Sequence, residues 1–374
     1  GTLETEEEVR AVAHKIGFPI MLKAAAGGGG KGMRLVENDK DVASAVRTVA
    51  SEAKSSFGDG RFYIEKFVKR PRHIEVQVFA DQMGETVHVF ERECSIQRRN
   101  QKVVEESPSP FITPEMRRAM GEVAVKAARA VNYVGAGTIE FLADADRNFY
   151  FLEMNTRIQV EHPVTELVSG VDLVKAQIQV AAGMPLPFKQ SDLVQRGWAI
   201  ECRIYAEDPA AGFVPAPGRI DTLRFPDGPG VRVDAGVYEG SEVSLYYDPM
   251  IAKLATWGRD RGEAIDRMRR ALAEFTIAGE LTTNLDFHRW IVEQPGFLSG
   301  DFDTNFINQE YHPDKLVRPE DPTRLAAILA AAVAGHRSQN NHTDGASLAP
   351  AVSSATPSGG SNWKTLGRLD MLRR

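Results

Sequence analysis

Leu152-Glu153-Met154-Asn155-Thr156-Arg157-Ile158-Gln159-Val160-Glu161-His162-Pro163 admits two readings. As a helix it would pair Arg157 with Glu161 at i,i+4, worth about a few tenths of a kcal/mol. Pro163 and the β-rich residues before it argue against that helix. As an extended chain it sends Glu153, Asn155, Arg157, Gln159 and Glu161 to one side and mostly apolar residues to the other. Eight steps of about 3.3 Å span roughly 26 Å, so the five groups cannot meet at one ligand atom. They can line one elongated site; a solvated strand face is the plainer alternative.

The residues before this stretch suggest its partner. If Asp144–Asn148 turns the chain, Glu140 and Glu153 lie roughly opposite on neighbouring strands. Facing carboxylates about 5 Å apart repel. They are stable if one is protonated or if a divalent cation lies between them. Two carboxylates and the Asn155 amide are hard oxygen donors, suited to Mg²⁺ or Mn²⁺ bridging phosphates.

Gly27-Gly28-Gly29-Gly30-Lys31-Gly32 is the loudest local signal. It matches G-x-G-x-x-G, but a dinucleotide site needs a helix directly after it and a strand follows here. A P-loop needs Ser or Thr after Gly-Lys, where this chain has Gly32. What remains is a strand–loop–strand clamp whose backbone N–H groups close on phosphate oxygens. Lys23, on the strand before it, adds a point charge for the same phosphates. A flexible hairpin loop with a surface lysine is the alternative. A phosphate clamp with a two-carboxylate magnesium site implies ATP chemistry, since phosphoryl transfer needs chiefly positioning and charge neutralisation.

The rest of the chain bounds the answer. Its 374 residues are 43% hydrophobic and 26% charged, enough for more than one core and unlike a disordered chain. The net charge of −6 makes nucleic acid and anionic membranes poor partners. No stretch approaches about 18 uncharged apolar residues. Cys94 and Cys202, the only cysteines, exclude a disulfide framework or Cys-rich zinc site and are expected to be small buried residues. They fit a reducing compartment. The expectation is cytoplasmic, with a mitochondrial location left open because the chain starts at Gly1, where a natural N-terminus carrying a targeting segment would be missing.

The pattern predicts helices over 4–16 (with a Thr5/Glu8 capping box), 39–53, 113–132, 164–182 and 261–275. It predicts strands over 18–26, 31–36, 62–68, 72–80, 86–92, on either side of 144–148, and over 198–207, 219–225, 231–235 and 250–257. Asp81-Gln82-Met83-Gly84 is a hairpin signal. This mixture is α+β, not a regular βαβ alternation. Residues 339–362 read as a linker, and 363–374 as a basic tail.

Gln97-Arg98-Arg99-Asn100-Gln101-Lys102 is dense in donors: an anion or nucleotide-hydroxyl site, or a solvated turn. His73 could reach a ribose or phosphate, though a lone histidine is more often structural. Glu201 and Arg203 alternate onto one strand face, close enough to pair with each other. The tryptophans read as core.

These motifs together resemble the biotin carboxylases, the ATP-grasp component of biotin-dependent acyl-CoA carboxylases. The resemblance rests on Lys23–Arg34, Glu91–Glu106, Phe151–Glu166 and Glu201–Asp208, and covers about residues 1–310. It implies an ATP-grasp lid subdomain at 1–67, an antiparallel-sheet central domain at 68–196, a C-terminal α+β domain at 197–310, and a helical piece, linker and tail at 311–374. By position it implies that Lys23, Gly28, Gly29 and His73 hold ATP phosphates or ribose. Glu65, Lys66 and Val68 would line the adenine with Leu142, and Gln97 would reach the ribose. Glu140 and Glu153 would bind Mg²⁺ or Mn²⁺, with Asn155 nearby. Lys102, Arg157, Gln159 and Val160 would cradle bicarbonate. Glu161 would be the general base and Arg203 would stabilise the biotin enolate.

Asn100 stands where many relatives carry His, which leaves open an ATP contact there. The family begins with a Rossmann-like domain of roughly a hundred residues, and Gly1 falls where the lid begins. The expectation is a chain that folds but is weak or inactive alone. No Ala/Val-Met-Lys-Met tetrapeptide occurs, so biotin is expected on a separate carrier protein. Carboxyltransferase subunits and a second copy of the chain are the other partners implied, in a complex acting on acetyl- or propionyl-CoA, the former a step of fatty acid biosynthesis. Another ATP-grasp carboxylate–amine ligase, or a non-catalytic assembly partner, are the competing readings.

Overall fold

The computed structural model describes residues 1–26 and 32–315. Gly28, Gly29 and the rest of the 27–31 loop, with the 316–374 segment, lie outside the described residues.

The chain opens with α1 (Glu6–Ile16), capped as its sequence predicts: Glu8 N donates to Thr5 Oγ1 at 3.3 Å while Thr5 N donates to Glu8 Oε2 at 3.1 Å. β1 (Ile20–Ala24) follows and pairs antiparallel with β2 (Met33–Val36) and β3 (Phe62–Lys66). The expected helix at 39–53 is instead a 3₁₀ turn at 39–41 followed by α2 (Val42–Phe57). Alternation along β1 decides which face is which. Ile20, Leu22 and Ala24 are buried in a core with Val9, Ala13, Val49 and Phe62. Met21 and Lys23 take the other face, with Glu65 and Tyr63 as their partners on β3.

The large sheet has eight strands, and every neighbouring pair is antiparallel. In chain order these include β4 (Arg72–Ala80), β5 (Thr86–Arg98), β6 (Gln101–Ser107), β7 (Gly135–Ala143), β8 (Phe149–Asn155) and β9 (Trp198–Tyr205). After β9 come β10 (Glu207–Asp208) with its partner β11 (Val214–Pro215), then β12 (Gly218–Arg224), β13 (Val231–Ala235), β14 (Glu242–Val243), β15 (Met250–Gly258) and β16 (Thr276–Gly279). The spatial order is β13-β15-β9-β6-β5-β4-β7-β8, and β14-β12-β16 form a small separate sheet. The expected boundary at 196/197 falls just before β9, which pairs with β6 on one side and β15 on the other.

α3 (Pro114–Ala130) lays Met116, Met120, Ala124 and Ala128, a four-residue repeat, against Ile74, Val76, Ile139 and Phe141 of the sheet. The predicted helix 164–182 is two helices, α4 (His162–Ser169) and α5 (Leu173–Ala181). Gly170 at φ +73° ends the first and the Asp172 carboxylate, 2.8 Å from Lys175 N, caps the second. α6 (Arg261–Glu274), α7 (Leu285–Ile291), α8 (Pro295–Ser299) and α9 (Phe306–Glu310) follow. With β9, β15 and the inner residues of β6 they enclose the largest apolar core. No helix among the described residues is long and apolar enough to cross a membrane.

The stretch at 152–163 departs from its predicted form. β8 ends at Asn155, and residues 156–161 form a loop before α4. The alternation therefore stops after Asn155, and the polar groups beyond it are aimed by a loop.

Candidate active site

Four charged residues form a row across the sheet. Arg92 on β5 lies opposite Glu75 on β4, Glu75 opposite Glu140 on β7, and Glu140 opposite Glu153 on β8. Arg92, Glu75 and Glu140 are buried, and Glu153 is exposed.

The outer end of this row opens on a cleft of about 390 Å³ between the small sheet and the large one. Lys23 and Glu65, from the open face of the small sheet, line it and pair at 2.5 Å. Lys66, Val68 and Leu142 line it, as do His73, Gln97, Asn100, Glu140 and Glu153. Every described residue expected to contact ATP is therefore in this cleft. The Lys66 ammonium points elsewhere, donating to the Gly17 and Phe18 carbonyls at 2.8 and 3.3 Å. Arg99 and Asn100 both have positive φ, 51° and 64°, between the paired residues Arg98 and Gln101. They are the two corner residues of a tight β5–β6 hairpin, a conformation Asn adopts readily. Gln97 Nε2 donates to His73 Nδ1 at 2.8 Å. That leaves His73 Nε2 facing Glu140 Oε2, 3.3 Å away.

Behind the cleft the charges alternate. Lys102 Nζ is 2.8 Å from Glu140 Oε1 and 2.7 Å from Glu161 Oε1, and also contacts Glu75. Arg92 pairs with Glu75 and donates to Gln77 and Thr165 at 2.7 and 3.0 Å. Gln159 bridges the row, accepting from Arg92 at 3.1 Å and donating to Glu140 at 2.9 Å. Arg203 donates to Glu105 Oε1 at 2.6 Å and to Glu161 Oε2 at 2.9 Å. The Val160 carbonyl accepts from Lys253 at 2.9 Å.

Electrostatics follows from these contacts. Burial alone would push the Glu140 carboxyl up, but His73 and Lys102 outweigh it and hold the group well below the usual carboxylate range. Burial opposes the ionised Glu75 likewise, and Arg92 and Lys102 bring it down to about 2. Burial disfavours the Lys102 ammonium, yet Glu75, Glu161 and Glu140 hold its pKa above the ordinary value. The expectation that the Glu140–Glu153 pair needs a shared proton or a cation is thus corrected: Lys102 and His73 already compensate Glu140.

Of the three metal ligands the sequence suggests, Glu140 and Glu153 lie directly opposite and share the cleft. Asn155 lies opposite Thr138 and is not among the residues lining the cleft. Two carboxylates on one cleft wall fit a hard divalent cation. Glu153 adds weight, since it forms no ion pair among the described residues. His73, Glu75 and Glu140 also bring one ligand atom each within 4.8 Å of one another. There Lys102 already occupies both carboxylates, so an ammonium fills the place of a cation.

Lys102, Gln159, Glu161 and Arg203 meet in one cluster, and the Val160 carbonyl joins it through the following residue. Arg157 does not: its side chain is exposed and donates to the Ile158 carbonyl at 3.2 Å. Glu201 and Arg203 do not pair, because Arg203 turns to Glu105 and Glu161. Cys94 and Cys202 are buried and free, as expected. Glu75, Arg92, Glu105 and Lys253 escaped the sequence reading. The hairpin signal at 81–84 could have brought Arg92 near Glu75, but nothing local distinguishes Glu105 or Lys253.

Residues 1–189 match the family described as carbamoyl-phosphate synthase L chain, ATP binding domain, and residues 201–309 match the biotin carboxylase C-terminal domain. The propionyl-CoA carboxylase alpha chain of Ruegeria pomeroyi is 52% identical over 358 residues, which is 90% of this chain and 52% of that protein. The biotin carboxylase of a Nostoc species is 54% identical over 309 residues, 83% of this chain and 69% of that protein. Among solved structures, the biotin carboxylase domain dimer of Hydrogenobacter thermophilus 2-oxoglutarate carboxylase, in complex with MgADP, ADP and bicarbonate, matches with a TM-score of 0.80. It is 45% identical, with 85% of this chain and 70% of that one covered. The chain spans about half the length of the propionyl-CoA carboxylase alpha chains it matches. Its α+β architecture is the ATP-grasp fold with the C-terminal domain that the sequence motifs imply, and the chain belongs to the biotin carboxylase family.

Proposed function

We propose that this chain works in the ATP-dependent carboxylation of biotin by bicarbonate, a ligase reaction forming a carbon–nitrogen bond. It is the first half-reaction of an acyl-CoA carboxylase, with propionyl-CoA favoured over acetyl-CoA by the alpha-chain relatives. The observation carrying this reading is the position of Glu140, which opens on the cleft yet shares Lys102 with Glu161.

Lys23 and the glycine stretch that includes Gly28 and Gly29 meet the phosphates. Glu65, Val68, Leu142 and the backbone of Lys66 take the adenine, and Gln97, His73 and Asn100 the ribose side. Glu140 and Glu153, with Asn155 close by, would hold Mg²⁺ or Mn²⁺, which when bound neutralises charge on the phosphates. Lys102, Gln159 and the Val160 backbone receive bicarbonate, while Arg157, exposed and turned to the Ile158 carbonyl, lies outside their cluster.

A bicarbonate oxygen attacks the γ-phosphorus and the bond to ADP breaks, giving carboxyphosphate. Bicarbonate is a weak nucleophile, so removal of its proton by Glu161 matters. The geometry adds a reason. Lys102 and Arg203 both hold the ionised Glu161. Once Glu161 takes the proton it loses its charge, and both cations become free to face the developing anion. Carboxyphosphate then releases CO₂, its phosphate removes the ureido N–H proton of biotin, and that nitrogen captures the CO₂. Arg203 balances the negative charge on the biotin oxygen. Biotin arrives on a carrier protein, carboxyltransferase subunits complete the complex, and the chain pairs with a second copy.

ADP release by the full-length protein with free biotin, with and without bicarbonate, tests this. Release that requires bicarbonate and rises with biotin is expected. Release that ignores bicarbonate and follows an added amine points to a different ligase. A chain that fails to bind MgATP in a nucleotide titration points to an assembly role.

A further inference from the structure

Two acids behind the site have no part in the mechanism above. Glu105 on β6 and Glu201 on β9 are directly opposite in register. Residues so paired place their Cβ atoms about 5 Å apart on one face of the sheet. Both are completely buried. Glu105 Oε1 accepts from Arg203, while Glu105 Oε2 and both Glu201 oxygens have no hydrogen-bond partner among the described residues. Two buried carboxylates facing each other, with a cation paired to Glu105 alone, cannot both stay ionised.

We infer that Glu105 and Glu201 form a carboxyl pair holding one proton at about pH 8, with the proton on Glu201, and that the pair positions Arg203 between Glu105 and Glu161. The catalytic part of this inference rests on the biotin carboxylase reading; the proton does not.

The surroundings assign the proton to Glu201. It faces Glu105 across the strand, with Arg203 two residues along β9, Lys253 on β15 and Glu161 from the loop as its charged neighbours. Burial, then Glu105, pushes its carboxyl well up, and neither Lys253 nor Arg203 reaches it with a hydrogen bond. Glu105 meets Arg203 directly, with Glu161 and the Lys102 ammonium farther off and the buried thiols of Cys94 and Cys202 on the flanking strands. Burial pushes Glu105 up to about 7, against the pull of Arg203. At pH 8 Glu105 is therefore ionised and shares Arg203 with Glu161. When pH falls through about 7, Glu105 gains a proton and Arg203 is left to Glu161 alone. A guanidinium given wholly to Glu161 is held more tightly there and is less free to face the developing anion. Glu105 and Glu201 are positioning residues: they set how much of the Arg203 charge Glu161 feels.

Stability against pH separates the two acids. A carboxyl group that remains protonated in the folded chain binds a proton that the unfolded chain releases above the usual carboxylate range. Stability then falls as pH rises, by about tenfold in the folding constant per pH unit, until the folded-state group ionises. Urea unfolding of the wild-type chain and of Glu201→Gln and Glu105→Gln, from about pH 5 to about pH 8, reads this directly. Each variant is expected to lose about one proton's worth of slope. For Glu105→Gln the difference from wild type levels off near pH 7; for Glu201→Gln it keeps growing to pH 8. Variant curves that run parallel to wild type, or differences that level off at one pH for both variants, overturn the inference. Bicarbonate-dependent ADP release by Glu105→Gln should be several-fold lower at about pH 8 and lack the acid-side decline near pH 7. A retained decline removes the link to Glu161. Absence of bicarbonate-dependent ADP release from the wild-type full-length protein defeats the biotin carboxylase reading, while the unfolding curves still decide the pair.

Discussion

Lys102 Nζ lies 2.8 Å from Glu140 Oε1, so the carboxylate that opens on the cleft between the two sheets shares its cation with Glu161 on the other side of the sheet row. The two halves of the proposed reaction are thereby joined by one ammonium group. Any change in charge at the phosphates reaches Lys102 through Glu140, and any proton gained at Glu161 loosens Lys102 from the opposite side. A divalent cation, which Glu140 and Glu153 would hold, would draw on the same Glu140 charge that now faces Lys102.

Lys102→Met should therefore cost fold stability as well as activity. The variant leaves Glu75, Glu140 and Glu161, all buried, without their common cation. Breaking a buried pair by removing one partner costs roughly 3–5 kcal/mol. Urea unfolding at about pH 7.5 measures it. A loss below about 1 kcal/mol would show that the carboxylates find other partners or take up protons cheaply.

Glu153→Gln and Glu140→Gln should behave differently. Glu153 is exposed on an edge strand, so its substitution should leave stability within about 0.5 kcal/mol of wild type. It should still weaken MgADP binding by about tenfold or more, the worth of one charge-assisted contact. Glu140→Gln should weaken binding and also destabilise, since it uncovers Lys102 and His73. Calorimetric titration with and without Mg²⁺ distinguishes the cases. Equal loss of affinity with and without the metal would remove Glu153 from the metal site.

Lys253→Met tests a residue that no motif marks. Its ammonium holds the Val160 carbonyl at 2.9 Å and pairs with Asp234 at 3.4 Å. Removing it frees the loop carbonyl proposed to face bicarbonate. The expected outcome is a several-fold rise in the bicarbonate KM, with nucleotide affinity unchanged because Lys253 is not among the residues lining the cleft. A matching change in nucleotide affinity would show that the loop and the cleft move together.

These sites were unevenly legible in the sequence, and the reason is register. From the turn at 144–148, Ala143 pairs with Phe149, and a uniform hairpin would then set Glu140 opposite Leu152. A one-residue irregularity between Glu140 and Phe141 brings in Glu153 instead. The facing acids expected from the sequence thus depend on a bulge that no residue type announces. The hairpin at 81–84 shows the same effect. Uniform pairing from Ala80 and Thr86 would put Glu75 opposite Glu91. Phe90 at φ +62° marks the shift that presents Arg92. Helix starts were easier because Thr5 and Thr113 act within three or four residues. Lys253 was invisible because it reaches the site from a strand far away in sequence, and Glu105 because its partner Arg203 lies 98 residues further on. Arg157 was misplaced by an alternation that ends at Asn155, where the strand gives way to a loop.

His288 supplies a test of the wall behind Arg203. Its Nε2 lies 2.7 Å from the Arg203 carbonyl oxygen, which can only accept, so Nε2 carries the proton. Nδ1 is buried and has no partner among the described residues. Protonating it would bury a donor and a charge together, and burial pushes the imidazole down to about 4. In the unfolded chain the same ring titrates near 6.5. The folded state refuses a proton that the unfolded state accepts, so stability is full above about pH 6.5 and is lost as pH falls toward 4. The loss attributable to this ring is about 3 kcal/mol at the acid end of that window. His288→Asn should start out less stable at about pH 8, because it gives up the bond to the Arg203 carbonyl. It should then lose stability less steeply on acidification, with the two unfolding curves converging between about pH 6.5 and about pH 4. Curves that stay equally spaced throughout that range would mean the ring titrates alike in both states, and the account of the buried Nδ1 would be wrong.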